Sequence, residues 1–284
     1  MIKYLIFFLM FIIWALFVVM CIDINRFVVR EYTIYSDKLK DKIDLVLLAD
    51  MHNKEFGTDN YKLIKAIKDI DPDIICCAGD MLTARRGSGE DNALKLFSYL
   101  KDYPVYYGIG NHEYRKKIYP EDFGDEYDRY IAALKEMGVN VLENDRRKID
   151  GSGVIVQGIM IDRKFYKRTG RNKMTTDDVT ALTGSMGPEY TILLAHNPEY
   201  FDEYAGAGAD LVLSGHVHGG LMRLPYLGGV ISPNLRFFPK YDGGIFTYGN
   251  SQMVLSRGLG YHTLPIRLFN PGELIHIRLL PCKV

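Results

Sequence analysis

His216 and His218 stand two positions apart in the stretch LSGHVHGG, directly after the apolar run Leu211-Val-Leu. Four other apolar runs also end on polar residues. IDLVLLAD leads into Asp50-Met51-His52, and DIICCAGD ends on Gly79-Asp80. PVYYGIGN leads into Asn111-His112-Glu113, and YTILLAH ends on His196. Carboxylate, amide oxygen and neutral imidazole are hard-to-borderline ligands, suited to Mn²⁺, Fe or Zn²⁺ rather than to copper or an iron–sulfur centre. In an extended Asp-x-His or His-x-His, both side chains project from one face, so the pair can chelate one ion or serve two neighbours. The flanking glycines let the backbone turn tightly there. One Asp-x-His arises often by chance. Five such endings, each closing an apolar run, do not.

The elements that carry these endings are short. Residues 43–50, 73–80 and 104–111 are continuous apolar runs of the kind buried on both faces of a parallel sheet. Between the first two, Thr58 can cap a helix whose face is Leu63, Ile64, Ile67 and Ile70, ending before Pro72. Residues 90–101 and 121–137 read as two further helices. Past about Asn140 strands dominate: a hairpin around Gly151-Ser-Gly153, strands at 190–196 and 209–216 with a Pro198-led helix between them, and strand-like pieces from Gly243 to Leu280. The pattern predicts an α/β fold, in which ligand sites gather at the carboxyl ends of the strands.

Composition narrows the function. The 284 residues hold 35 Lys+Arg against 35 Asp+Glu, so no net charge draws the chain to nucleic acid, and no basic tract is interleaved with aromatics. No nucleic-acid partner is expected. Cys76 and Cys77 are adjacent in a strand, where they point to opposite faces and cannot easily bond; with Cys21 and Cys282 they form no disulfide framework. Residues 5–22 are uninterrupted LIFFLMFIIWALFVVMCI, roughly 27 Å as a helix, which predicts a single-pass membrane anchor and a bilayer partner. A cleaved signal peptide is normally shorter and ends in small residues, unlike Val-Met-Cys-Ile-Asp. Arg26, Arg30, Lys38, Lys40 and Lys42 follow the segment and only Lys3 precedes it; a literal count puts the domain in the cytoplasm, and the side stays unassigned.

Taken in order, D-x-H, G-D, G-N-H-[DE], H and G-H-x-H resemble the calcineurin-like metallophosphoesterases over roughly residues 43–280. The closing region, GGLMRLP, FFPKYDGG and LSRGLGYHTLPIRLFNPGEL, is similar to a bacterial membrane-associated branch. Some members of that branch act on lipid-linked phosphates such as UDP-diacylglucosamine. Those relatives commonly carry Gln after the final Gly-Gly, where this chain has Leu221.

The resemblance implies a four-layer αββα sandwich of two mixed sheets flanked by helices, preceded by one N-terminal transmembrane helix. The expected division is an anchor over 1–24, a connector over 25–42 and the catalytic domain over 43–284. It implies two divalent metal ions, Mn, Fe or Zn. Asp50, His52 and His218 would hold one, Asn111, His196 and His216 the other, and Asp80 would bridge them. A hydroxide held between the ions would attack phosphorus. His112 would face the phosphate, stabilising charge or protonating the leaving oxygen, with Glu113 as its orienting partner. Arg223, Arg257 and Arg267 are candidates for a second phosphate or headgroup, and His262 for the substrate mouth. Phe237, Phe238 and Tyr241, if exposed, would line that mouth with apolar surface. The implied substrate is a phosphoester or pyrophosphate, lipid-linked if the anchor is read literally. A soluble nucleotide or general phosphodiester is the alternative. A catalytically silent binding module should have lost ligands, and none is missing here.

Overall fold

The computed structural model describes residues 1–89, 91–167, 172–224, 226–231, 237–261 and 265–282. Helix α1 (Ile2–Ile24) carries the long apolar run; an 18-residue window within it has mean hydropathy 3.1 and no buried residue. By length and composition it can cross a membrane. Its last turn is fastened to the body. Asp23 is buried, pairs with Arg26 at 2.8 Å and accepts the backbone N–H of Asn270 at 3.0 Å.

The residues expected to be a connector are not one. Within 25–42 lies strand β1 (Phe27–Ser36), which pairs in parallel along its whole length with β14 (Gly272–Pro281). Its sequence, FVVREYTIYS, mixes polar and apolar residues because it forms the edge of a sheet, and that texture reads as linker. Inside it come β2 (Ile43–Leu48), β3 (Ile74–Cys77), β4 (Val105–Gly108) and β5 (Asn140–Leu142), all mutually parallel. The order is β1–β14–β2–β3–β4–β5, with β14 antiparallel to β2.

The second sheet has β6 (Arg146–Lys148), β7 (Ile155–Ile159), β8 (Thr191–Ala195), β9 (Leu211–Ser214), β12 (Gly244–Tyr248) and β13 (Ser251–Leu255). They run in the order β12–β13–β9–β8–β7–β6, parallel in the middle and antiparallel at both edges. The expected hairpin is the β6–β7 pair. A separate antiparallel ribbon joins β10 (Met222–Leu224) to β11 (Gly228–Ile231).

Side-chain alternation explains the layers. Leu45 and Leu47 of β2 point between the sheets, where they meet Ile192, Leu194, Leu211, Leu213 and Ile275. Val46 and Leu48 point outward, onto α2 (Tyr61–Ile70), α3 (Asp91–Tyr99) and α6 (Glu126–Glu136) through Leu63, Ile67, Leu96 and Leu134. Two short helices, α4 (Asn111–Ile118) and α5 (Pro120–Phe123), link β4 to α6. On the far side, Leu193 and Val212 are covered by Val179 of α7 (Thr176–Thr183) and Tyr204 of α8 (Phe201–Gly206). The result is helix, sheet, sheet, helix. Because β2, β3, β4, β8 and β9 are parallel within their sheets, all five polar endings leave at carboxyl ends.

Candidate metal centre

The five loops are stitched together by their backbones before any side chain is considered. Asp50 N–H donates to Gly79 O at 3.0 Å, His52 N–H to Asp80 O at 3.1 Å, and Gly215 N–H to His196 O at 3.1 Å. Across the two sheets, His216 N–H donates to the Asp50 carboxylate at 2.9 Å. Gly79 and Gly110 are where the β3 and β4 loops touch. A Cβ on Gly79 would lie 2.3 Å from Gly110 N, and one on Gly110 would lie 2.2 Å from Asp80 Oδ1. Neither position has room for a side chain.

The backbone is also strained where the chemistry sits. Asp50, His52, Asp80, His216 and His218 all have φ between 49° and 76°, a region that non-glycine residues rarely adopt. Such conformations cost about 1–3 kcal/mol each and persist only where the surroundings impose them. Here the imposed conformation turns five polar side chains into one space.

Two buried carboxylates occupy its centre. Around Asp50 Oδ1 lie His218 Nε2 at 3.5 Å, His52 Nε2 at 3.8 Å and His196 Nε2 at 3.8 Å. Around Asp80 Oδ2 lie His196 Nε2 at 3.0 Å, His52 Nε2 at 3.9 Å and His112 Nε2 at 3.9 Å. Three groups therefore have ligand atoms within 4.8 Å of one another, Asp50–His52–His218, His52–Asp80–His112 and Asp80–His196–His216. They overlap in His52 and Asp80. Asn111, at the head of α4, adds a buried Oδ1 with no hydrogen-bond partner among the described residues.

Ring tautomers show that a cation fits this space. His196 Nδ1 lies 2.7 Å from Ala78 O, and His52 Nδ1 lies 3.2 Å from Leu82 O. A carbonyl only accepts, so each neutral ring carries its proton on Nδ1; His52 Nε2 then lies 3.1 Å from His218 Nε2, and His196 Nε2 turns its lone pair inward. For His196 that lone pair faces a carboxylate oxygen, acceptor against acceptor. Only a positive charge resolves the clash, whether a proton or a metal ion. Burial pushes the His196 ring toward neutrality, yet Asp80 and Asp50 outweigh it and raise the ring to about 9. Burial and then Asp80 push Asp50 up to about 7; burial also pushes Asp80 up, but His196, His112 and His52 outweigh it and hold that carboxyl well below the usual range. The donor set fits a pair of divalent ions: inward nitrogens are backed by carbonyls, as metal-ligating imidazoles are.

His112 is built the other way round. Its Nδ1 accepts the backbone N–H of Ala84 at 2.7 Å, so the neutral ring carries its proton on Nε2 and presents a donor to the site. A doubly protonated ring would set N–H against N–H at Ala84. Burial lowers the pKa of this ring further, against the pull of Asp80. Of the three groups, the one that includes His112 thus contains a ring that in its neutral form presents a hydrogen-bond donor. The backbone N–H of His112 is fixed by Asp80 Oδ1 at 2.8 Å.

Glu113 is not the orienting partner of His112. It is fully buried, and its oxygens accept from the backbone N–H groups of Asp80, Met81, Leu82 and Gly110 and from the Tyr107 hydroxyl. Position three of α4 turns its carboxylate back over the helix start and into the neighbouring loop. It holds the Asp80 loop in place. Burial first, then Asp80, pushes it up to about 7.

The arginine expectations divide. Arg267 is 1% exposed and donates to five carbonyls, those of Arg257, Gly258, Gly260, Asn270 and Pro271, so it shapes the loop and meets no substrate. Arg223 is pinned to the Asp242 carboxylate at 3.0 Å and to Gly219 O at 3.1 Å. Arg257 lies 3.6 Å from Glu273, with its stem packed where a Gly219 side chain would be. His262 lies outside the described residues. His276 binds Asp44 at 3.0 Å, away from the site.

Two contributors carried no sequence signal. Tyr166 sets its ring edge-on to His216, centroids 5.2 Å apart, and closes that wall. Asn270 is buried and donates through Nδ2 to His218 O and Gly220 O, each at 2.8 Å. Phe-Asn-Pro-Gly reads only as a turn.

Residues 43–220 match the family model described as calcineurin-like phosphoesterase. An uncharacterized metallophosphoesterase of Helicobacter pylori is 28% identical over 260 residues, spanning 89% of this chain and 64% of that protein. One from Aquifex aeolicus is 28% identical over 252 residues, covering 87% and 89%. A Danio rerio transmembrane protein with metallophosphoesterase domain is 25% identical over 264 residues, covering 88% and 56%. This chain thus spans less than two thirds of the Helicobacter protein's length. With the matched region covering every one of these endings, the chain belongs to the calcineurin-like phosphoesterases.

Proposed function

We propose that the protein is a membrane-anchored hydrolase of a lipid-linked phosphoester or pyrophosphate. The observation that carries this reading is a chain of contacts. Asp23, in the last turn of the apolar helix, accepts from Asn270 N–H, and the Asn270 side chain holds the His218 loop. An anchor fixed in this way keeps the centre within a few residues of the bilayer surface, where a tethered enzyme meets lipid substrates at high effective concentration.

In this reading Asp50, His52 and His218 would hold one divalent ion, Asn111, His196 and His216 would hold the second, and Asp80 would serve both. Mn²⁺, Fe or Zn²⁺ suits the donors. Two such ions, when bound, activate water near neutral pH and neutralise phosphate charge. The rest belongs to the chain. His112 Nε2–H donates to a phosphate oxygen as charge builds in the transition state. Glu113 and the Ala84 N–H keep the Asp80 loop and that donor in place. Arg257, beside Gly219, takes a second phosphate group.

A hydrolysis screen with Mn²⁺ on the full chain in vesicles tests the proposal. Lipid-linked pyrophosphates and phosphodiesters should show higher kcat/KM than their water-soluble headgroup analogues or nucleotides. Equal or greater kcat/KM for soluble nucleotides would replace the lipid reading with a retained soluble-substrate phosphodiesterase.

A further inference from the structure

The β10–β11 ribbon carries a set of exposed apolar side chains that the metal centre does not use. Tyr226 and Leu227 sit at its turn, 108% and 62% exposed. Phe237 pairs with Ile231 through an isolated bridge, and Phe238 N–H donates to Val230 O at 2.9 Å. On the other side Leu268 pairs with Met222, which brings Phe269 alongside. Phe237, Phe238 and Phe269 are 70%, 61% and 45% exposed. Tyr226, Phe238 and Phe269 also adopt φ of 67°, 48° and 54°. Positive φ is a costly outlier for bulky residues, and it persists here where it turns aromatic rings into solvent. A row of strained, outward aromatic residues is a liability in water unless another surface covers it.

The covering surface is indicated by α1. Asn270, next to Phe269, is hydrogen-bonded to Asp23 in the last turn of that helix. Around the same turn stand Arg26, half exposed and paired with Asp23, and Lys54, whose Nζ donates to Asn25 Oδ1 at 2.9 Å. A spanning helix that ends in an Asp, an Asn and two cations puts that end at the headgroup level. The ribbon is joined to this point through Leu268–Asn270 and so lies at the same level. Aromatic and aliphatic side chains favour burial roughly 5–10 Å into the headgroup–acyl boundary.

We infer that the β10–β11 ribbon, with Phe237, Phe238 and Phe269, is a second membrane contact that rests on the bilayer from which α1 emerges. This rests on the anchored reading. Asn270 ties the ribbon to the His218 loop, so the contact sets the tilt of the metal centre toward the lipid surface.

Tryptophan quenching separates the two readings. Trp14 is the sole tryptophan, and it lies in α1. The full chain is reconstituted into phosphatidylcholine–phosphatidylglycerol vesicles containing brominated phosphatidylcholine. Quenching of Trp14 reports the anchor. In a Trp14→Phe background, Phe237→Trp reports the ribbon, and Tyr99→Trp is the control. Tyr99 ends α3, near the amino ends of the strands and away from the site. All three positions are exposed, so the variants keep their packing. The expected result is quenching of Trp14 and of Phe237→Trp, the latter strongest with bromines near the headgroup end of the acyl chains, and none for Tyr99→Trp. Quenching of Trp14 without quenching of Phe237→Trp overturns the ribbon contact and leaves the anchor standing. Equal quenching of Phe237→Trp and Tyr99→Trp overturns it as well. An unquenched Trp14 removes the anchored reading, and this inference with it.

Discussion

Replacing His112 with Asn separates a charge-stabilising donor from a general acid. The ring's Nδ1 accepts from Ala84 N–H at 2.7 Å, which leaves Nε2–H as the group that would meet substrate in the proposed reaction. An Asn Oδ1 stands close to where Nδ1 stood, so Ala84 N–H keeps an acceptor and stability barely changes. No inward lone pair is lost, so metal content is retained. What disappears is one preorganised donor at the transition-state charge, a loss of about 10²–10³ in kcat, or roughly 3–4 kcal/mol. A neutral imidazole has no acidic proton to give at this pH, so the loss is the same for every leaving group. His112→Gln, whose amide can donate from near the Nε2 position but cannot hand over a proton, recovers part of the rate. The assay is steady-state hydrolysis of a series of aryl phosphodiesters, with metal analysis of each preparation. If the His112→Asn loss shrinks as leaving groups improve, the ring acts as an acid and the tautomer reasoning is wrong.

Other changes probe the frame around the centre. Glu113→Gln sets an amide donor against two backbone N–H groups whichever way it turns, either Asp80 and Gly110 or Met81 and Leu82. It should cost on the order of 2 kcal/mol in urea unfolding and weaken metal binding, while kcat per bound metal pair stays within twofold or so. Arg267→Leu orphans several buried carbonyls and should cost about 3 kcal/mol or more of stability with KM unchanged; a raised KM without lost stability would return Arg267 to the substrate. Asp50 and Glu113 are pushed up to about 7 and His196 to about 9. Each binds its proton more tightly folded than unfolded, and together they outweigh the lowered His112, which acts the other way below about pH 6.5. The metal-free protein therefore loses stability as pH rises from about 4 through 9. Stabilisation by added Mn²⁺ should grow across the same window in thermal melts, and a flat profile would contradict these shifts.

The site was more legible than its support. That Asp50, His52, Asp80, His196, His216 and His218 gather in one place could be read because each closes an apolar run, and buried parallel strands deliver their endings to one edge. Strand β1 could not be read, because an edge strand needs little apolar content and its partner lies more than two hundred residues later. Glu113 was misassigned for a related reason. Its neighbour in sequence is His112, but the first turn of α4 sends its carboxylate to another loop. Arg267 illustrates a third limit. A guanidinium that saturates loop carbonyls has the same letter as one that binds phosphate, and only burial tells them apart.

The central claim is a pair of divalent ions bridged by Asp80. Elemental analysis of the Mn²⁺-loaded, dialysed full chain, with electron paramagnetic resonance on the same sample, tests it most directly. Two ions roughly 3.5–4 Å apart should appear as two equivalents of manganese per chain with an exchange-coupled spectrum. Asp80→Ala should abolish the coupling and lower the count. One equivalent with an isolated six-line signal, or a coupled pair that survives Asp80→Ala, would contradict the account.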